Sequence, residues 1–193
     1  MRICVYGAAS PTIDSKFFEK VEQMGERMVE RGHSLVFGGG GNGLMGAAAR
    51  GVKAKGGHIV GVIPKFFQAE SVEAIFDFCD ELIQPDTMRE RKQIMEDSAD
   101  AFIVVPGGIG TFEEFFEILT LKQLCRHNKP IAIYNLQGYY NELITAIEKA
   151  MAKNFIRENC MALFCLTEDL DELFKYFEAP QDDTLTVQQL KDG

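Results

Sequence analysis

Short, almost continuously apolar runs alternate with helical periodicity along the 193 residues, and this alternation predicts an α/β protein: a single doubly wound, Rossmann-like, mostly parallel sheet flanked by helices. Two observations carry the prediction. Runs such as Ile3-Cys4-Val5-Tyr6 and Ala101-Phe102-Ile103-Val104-Val105 lack the polar alternation of a half-exposed strand, as strands buried on both faces do. Glycine-rich turns follow two of the strand runs and open helices, so ligands are expected beyond the carboxyl ends of the strands.

The elements follow in order. Strands are predicted at 3–6, 34–37, 59–63, 81–84, 101–105, 131–134 and 163–166, and helices near 14–31, 43–55, 87–98, 112–126, 139–152 and 168–178. Between Pro64 and Asp80 the pattern breaks down, and Lys65-Phe66-Phe67-Gln68 reads as a loop or short helix that shapes a pocket at the sheet edge. From Ala179 the chain turns polar, so the expected organisation is one domain over 1–178 with a loosely ordered tail over 179–193.

Composition narrows the function classes. Lys and Arg number 20 against 29 Asp and Glu, a net charge of −9, which argues against a nucleic acid as partner. A phosphate would then be met by backbone amides or a local basic cluster. The five cysteines include no C-x-x-C pair and read as small buried hydrophobes. His33, His58 and His127 fall at element edges, and neither a metal nor a cofactor is expected. With no signal peptide and no apolar run of membrane-spanning length, the expected compartment is the cytoplasm and no membrane partner is expected.

Three constellations carry chemistry. The stretch Gly38-Gly39-Gly40-Gly41-Asn42-Gly43-Leu44-Met45-Gly46 satisfies G-x-G-x-x-G twice, at 38/40/43 and 41/43/46. It follows the second strand, however, and no acidic residue waits about twenty positions on for a ribose 2′-hydroxyl, which speaks against a dinucleotide. No Gly-Lys-Ser/Thr is present for a P-loop. A phosphate or ribose cradle and a plain tight turn stay open. In the second stretch, Thr87 and Glu90 form a capping box, and Arg91 falls amid Met88, Ile94 and Met95 on an apolar helix face. An arginine there calls for an anion, either an internal carboxylate or a ligand. The third stretch, Pro106-Gly107-Gly108-Ile109-Gly110-Thr111-Phe112-Glu113-Glu114, leads from a buried strand into a helix. Its glycines let a ligand approach the backbone, and the helix N-terminus aims free N–H groups at it. Thr111 and Glu114 have capping-box spacing; Phe112, Phe115, Phe116 and Leu119 are expected to form the buried helix face. Glu113 and Glu114 would then stand near the helix mouth, able to contact sugar hydroxyls or orient a water.

Pro106-Gly107-Gly108-x-Gly110-Thr111-x-x-Glu114 with Met88-x-x-Arg91-Lys92 resembles the LOG family of cytokinin riboside 5′-monophosphate phosphoribohydrolases, long labelled possible lysine decarboxylases. Gly43-Leu44-Met45-Gly46 and Asn135-x-x-Gly138-Tyr139-Tyr140 extend the resemblance, which runs from about residue 2 to 178. It implies Arg91 and Glu114 as catalytic residues, and Gly108, Gly110 and Thr111 as the grip on a 5′-phosphate. Gly40, Gly41, Asn42, Gly43, Met88, Lys92, Gly107 and Glu113 complete the implied substrate-binding set. It also implies a purine nucleoside 5′-monophosphate as substrate, with AMP and N6-prenyl-AMP both open, and a homodimer with the site near its interface. Arg89, where many members carry His, Asn42 and Ala8-Ala9-Ser10 depart from the common pattern and leave both catalytic positions intact. Residues 66–78 are expected to set the size of the base substituent. A non-catalytic purine-nucleotide sensor is the alternative; nothing marks a Schiff-base lysine for decarboxylation.

Overall fold

In the computed structural model, which describes residues 1–70 and 73–180, seven strands form one all-parallel sheet. The strands are β1 (Arg2–Tyr6), β2 (Ser34–Phe37), β3 (Ile59–Val62), β4 (Glu81–Ile83), β5 (Ala101–Val104), β6 (Ile131–Tyr134) and β7 (Cys165–Thr167). The helices are α1 (Ser15–Glu30), α2 (Gly43–Ala54), α3 (Lys65–Ala69), α4 (Met88–Ser98), α5 (Ile109–Gln123), α6 (Asn141–Met151) and α7 (Leu170–Glu178). The spatial order β4-β3-β2-β1-β5-β6-β7 makes the chain wind outward from β1 to one edge and then from β5 to the other. The winding reverses between β1 and β5, and it is beside such a reversal that the strand ends leave a crevice.

Side chains alternate across the strands and define two cores. Ile3, Val5, Leu35, Phe37, Ile59 and Ile103 pack on one face with α1, α2 and α7. Cys4, Tyr6, Val36, Val60, Phe102 and Val104 pack on the other with α4, α5 and α6. Burial on both faces is what the unbroken apolar runs required.

Several boundaries differ from expectation. Leu163, expected to open the last strand, ends a 3-10 turn, Glu158–Leu163, and Phe164 caps it, so β7 starts at Cys165. Helix α5 begins at Ile109, three residues before the expected 112, because Gly108 takes the N-cap position. The Thr111–Glu114 spacing therefore forms no capping box: both residues are inside the helix. Phe116, expected in the buried face, is exposed, while Phe115, Ile118 and Leu119 are buried. The broken stretch after Pro64 contains the short helix α3. Residues 181–193 of the expected tail lie outside the described residues. No described helix is long and apolar enough to cross a membrane.

Candidate active site

The loops following β1, β2 and β5 meet above the carboxyl ends of the strands, and Ala8 knits them together. Its N–H donates to Pro106 O at 3.1 Å, and its carbonyl accepts from Leu44 N at 2.8 Å and Met45 N at 3.4 Å. The first amides of α2 are thus engaged by the protein itself. Gly43 makes the contact possible: its φ is +60°, and a Cβ there would stand 2.1 Å from Ala8 O.

At the start of α5 the situation is opposite. No side chain caps the helix at Gly108, and the first-turn amides have no intrahelical acceptor. A Cβ on either Gly108 or Gly110 would meet nothing within 4 Å, so the backbone there is open to an incoming group. The loop is braced from behind. Tyr139 Oη donates to Gly107 O at 2.7 Å and Tyr140 Oη to Val105 O at 2.8 Å, while Asn135 Oδ1 accepts from Tyr140 N at 2.8 Å. The Asn135-x-x-Gly138-Tyr139-Tyr140 motif is a buttress for the glycine loop.

Helix α4 starts with the expected capping box: Thr87 Oγ1 accepts from Glu90 N, and Glu90 Oε2 accepts from Thr87 N, each at 3.1 Å. One turn in, Arg91 is buried at 5% exposure. Its Nε donates to Val62 O at 3.1 Å, and its guanidinium carbon lies 5.9 Å from the centre of the Phe67 ring. A Cβ on Gly38 would stand 1.9 Å from Nη2, so the glycine run makes room for this side chain. Nη1 faces Glu114 Oε1 at 3.7 Å, within ion-pair range and beyond hydrogen-bonding distance. Glu114, 8% exposed, has its carboxyl raised by burial to about 7, against the pull of Arg91 and with a push from Glu113.

Arg91 and Glu114 share a cleft of about 560 Å³ with Asn42, Gly108, Gly110 and Thr111 of the expected set. The other expected residues stand elsewhere. Lys92 pairs with Glu113 and, at 2.6 Å, with Glu117, tying α4 to α5 beside the cleft. Gly40, Gly41 and Gly43 shape the floor from behind, Gly107 is packed against Thr111, and Met88 lies exposed at the start of α4. Met45, Phe67 and Glu73, none of them singled out as a site residue, also line the cleft; Phe67 and Glu73 come from the stretch 66–78 expected to shape the pocket. Phe67 belongs to α3, held near α4 by the Lys65–Asp86 ion pair at 2.8 Å. No group of three or more His, Cys, Asp or Glu among the described residues is placed to hold a metal ion.

A doubly wound α/β protein with a guanidinium, a buried acid and a bare helix N-terminus in one cleft is the class that fold and site define. The chain belongs to the LOG family. The family model described as "Possible lysine decarboxylase" matches residues 45–177. A probable cytokinin riboside 5′-monophosphate phosphoribohydrolase of Oryza sativa subsp. japonica is 38% identical over 187 residues, 95% of this chain and 75% of that protein. A cytokinin riboside 5′-monophosphate phosphoribohydrolase of Arabidopsis thaliana is 36% identical over 92% of this chain and 82% of its own length. Among solved structures, the Moco carrier protein of Chlamydomonas reinhardtii shares the fold at a TM-score of 0.68 and 21% identity, with 92% of this chain and 94% of that one covered. The molybdenum cofactor binding protein of Rippkaea orientalis does so at 0.66 and 22%, covering 92% and 97%.

Proposed function

We propose that the protein hydrolyses the N-glycosidic bond of a purine nucleoside 5′-monophosphate, of the AMP or N6-prenyl-AMP type, releasing the free base and ribose 5-phosphate. One observation carries this reading: Arg91 and Glu114, distant in sequence, face each other in one cleft beside the uncapped N-terminus of α5. The names of the related plant proteins support the same reaction type.

In this mechanism the 5′-phosphate sits on the first amides of α5 and the Thr111 hydroxyl, where backbone N–H groups and the helix dipole favour an anion. That grip holds the ribose against Glu114, which lies in the second turn of the same helix. As the glycosidic bond stretches, positive charge gathers on the ribose, and the ionised Glu114 stabilises it and orients the attacking water. Arg91, anchored by the Val62 carbonyl, favours the ionised form of Glu114 against the burial that raises its carboxyl to about 7, and supports departure of the base. Phe67 and Met45 supply the apolar wall against which a purine packs.

Chromatographic assay of AMP and N6-isopentenyl-AMP tests the proposal. Wild-type protein is expected to release free base, with Glu114→Gln and Arg91→Ala each lowering kcat/KM by at least about 100-fold. Tight binding of either nucleotide by folded wild-type protein without turnover would favour the sensor instead.

A further inference from the structure

The cleft contains a second carboxylate, Glu73, to which the roles of Arg91 and Glu114 give no task. It stands on the stretch between α3 and β4 that is pinned across the end of β2. Gly40 and Ile75 form an antiparallel bridge, Gly41 N donates to Ala74 O at 2.7 Å, and Phe76 N donates to Gly39 O at 2.9 Å. The side chain lies over Gly40: a Cβ added there would stand 1.9 Å from Glu73 Oε1. That oxygen is buried and accepts no hydrogen bond among the described residues. A buried carboxyl oxygen without a partner calls for an explanation, and in its protonated form it has a hydrogen to donate to the accepting ring nitrogens of a purine in the cleft it borders.

Position and chemistry narrow its role. The α5 amides lie above β5, whereas Glu73 lies above β2, two strands away across β1, a spacing of about 10 Å. A mononucleotide whose phosphate rests on α5 and whose ribose meets Glu114 directs its base toward Phe67 and Glu73. Among the described residues lining the cleft, Glu73, Arg91 and Glu114 alone titrate. A guanidinium does not release its proton at neutral pH, and Glu114 is engaged with the ribose and water.

We propose that Glu73 is the proton donor to the departing purine. The assignment rests on the hydrolase reading above. As the C1′–N9 bond breaks, its electron pair passes to the purine, and the Glu73 carboxyl proton goes to a ring nitrogen, so the base leaves neutral. The water oxygen bonds C1′ and gives a proton to Glu114. Glu73 ends ionised and Glu114 protonated, and exchange with solvent resets both. Burial already raises the Glu73 carboxyl, opposed by Arg91 of α4, with Glu114 of α5 the other charged group facing the cleft. A purine stacked on Phe67 removes further solvent from it and favours the protonated form.

The experiment compares AMP with 4-nitrophenyl ribofuranoside 5-phosphate, whose leaving group departs as a stable anion without a proton. Glu73→Gln is expected to lower kcat on AMP by about 100-fold or more and to lower it far less on the nitrophenyl substrate. The same variant flattens the alkaline limb of the wild-type AMP profile. Gly40→Ala, whose methyl displaces the Glu73 carboxyl, is expected to reproduce the selective loss, and activity on the nitrophenyl substrate reports that both variants are folded. Equal losses on the two substrates, or no loss on AMP, would overturn the role of Glu73 while leaving the hydrolase intact. Failure of the wild type to release base from AMP and from its N6-prenyl analogue would overturn both.

Discussion

At Glu114 a carboxyl that titrates near 4.5 in water is raised to about 7 by burial, so the folded chain holds a proton that the unfolded chain releases between those values. Stability conferred by the neutral form is complete below pH 4.5 and is lost as pH rises through 7. Above that, keeping the ionised group in the fold costs on the order of 3 kcal/mol. Glu114→Gln is therefore expected to raise Tm by several degrees at pH 8 and by much less at pH 5, as a calorimetric pair of scans would read. The wild-type kcat/KM is expected to rise with pH through about 7, where Glu114 ionises; an acid limb near 4.5 would count against its role. This residue was half legible in the sequence. Its motif stood out, but the T-x-x-E spacing also described a helix cap, and only Gly108 taking the cap puts Glu114 inside. Glu73 was not legible: Glu70, Glu73 and Asp77 stand in one stretch without periodicity, and nothing in the spacing sets Glu73 apart from the other two.

Among the elements, α4 was readable down to its first turn, because a capping box and an arginine amid apolar residues are local facts. The start of α5 was less so, since a glycine N-cap offers no side-chain signature. That bare start yields a prediction with two opposite signs. Gly110→Ala places a better helix former in the first turn and meets no neighbour, so stability rises by roughly 0.5–1 kcal/mol. On the proposed phosphate grip the added methyl also stands in the path of the phosphate, so KM for AMP is expected to rise several-fold. A denaturation curve and a substrate titration on one preparation check both; loss of stability with unchanged KM would contradict the assigned grip. The glycine run at 38–43 was legible as a close-packed turn, but not what it packs against. Its fingerprint matches a dinucleotide loop, but its physical use is to admit Arg91 and Glu73 and to let Gly43 receive the Ala8 carbonyl.

For the whole molecule, sheet class and strand membership followed from apolar runs buried on both faces, while the reversal between β1 and β5 depends on contacts between residues about a hundred positions apart. Exposed apolar side chains fit the homodimer that the resemblance implied, which we propose for this chain: Met88 on α4, Ile109 and Phe116 on α5 and Leu124 just after it are exposed, Ile109 to 82%. Sedimentation equilibrium is expected to give a dimer for the wild type and a monomer for Phe116→Glu; a wild-type monomer would end the proposal. The clamp at Ala8 has a further consequence for what the cleft accepts. With α2 turned onto an internal carbonyl, α5 offers the bare helix start that borders this cleft, on a chain whose net charge is −9. On the proposed grip, a second phosphate meets no further bare helix start in this cleft and adds repulsion from the net charge, so ADP is expected to bind more weakly than AMP in a competition assay.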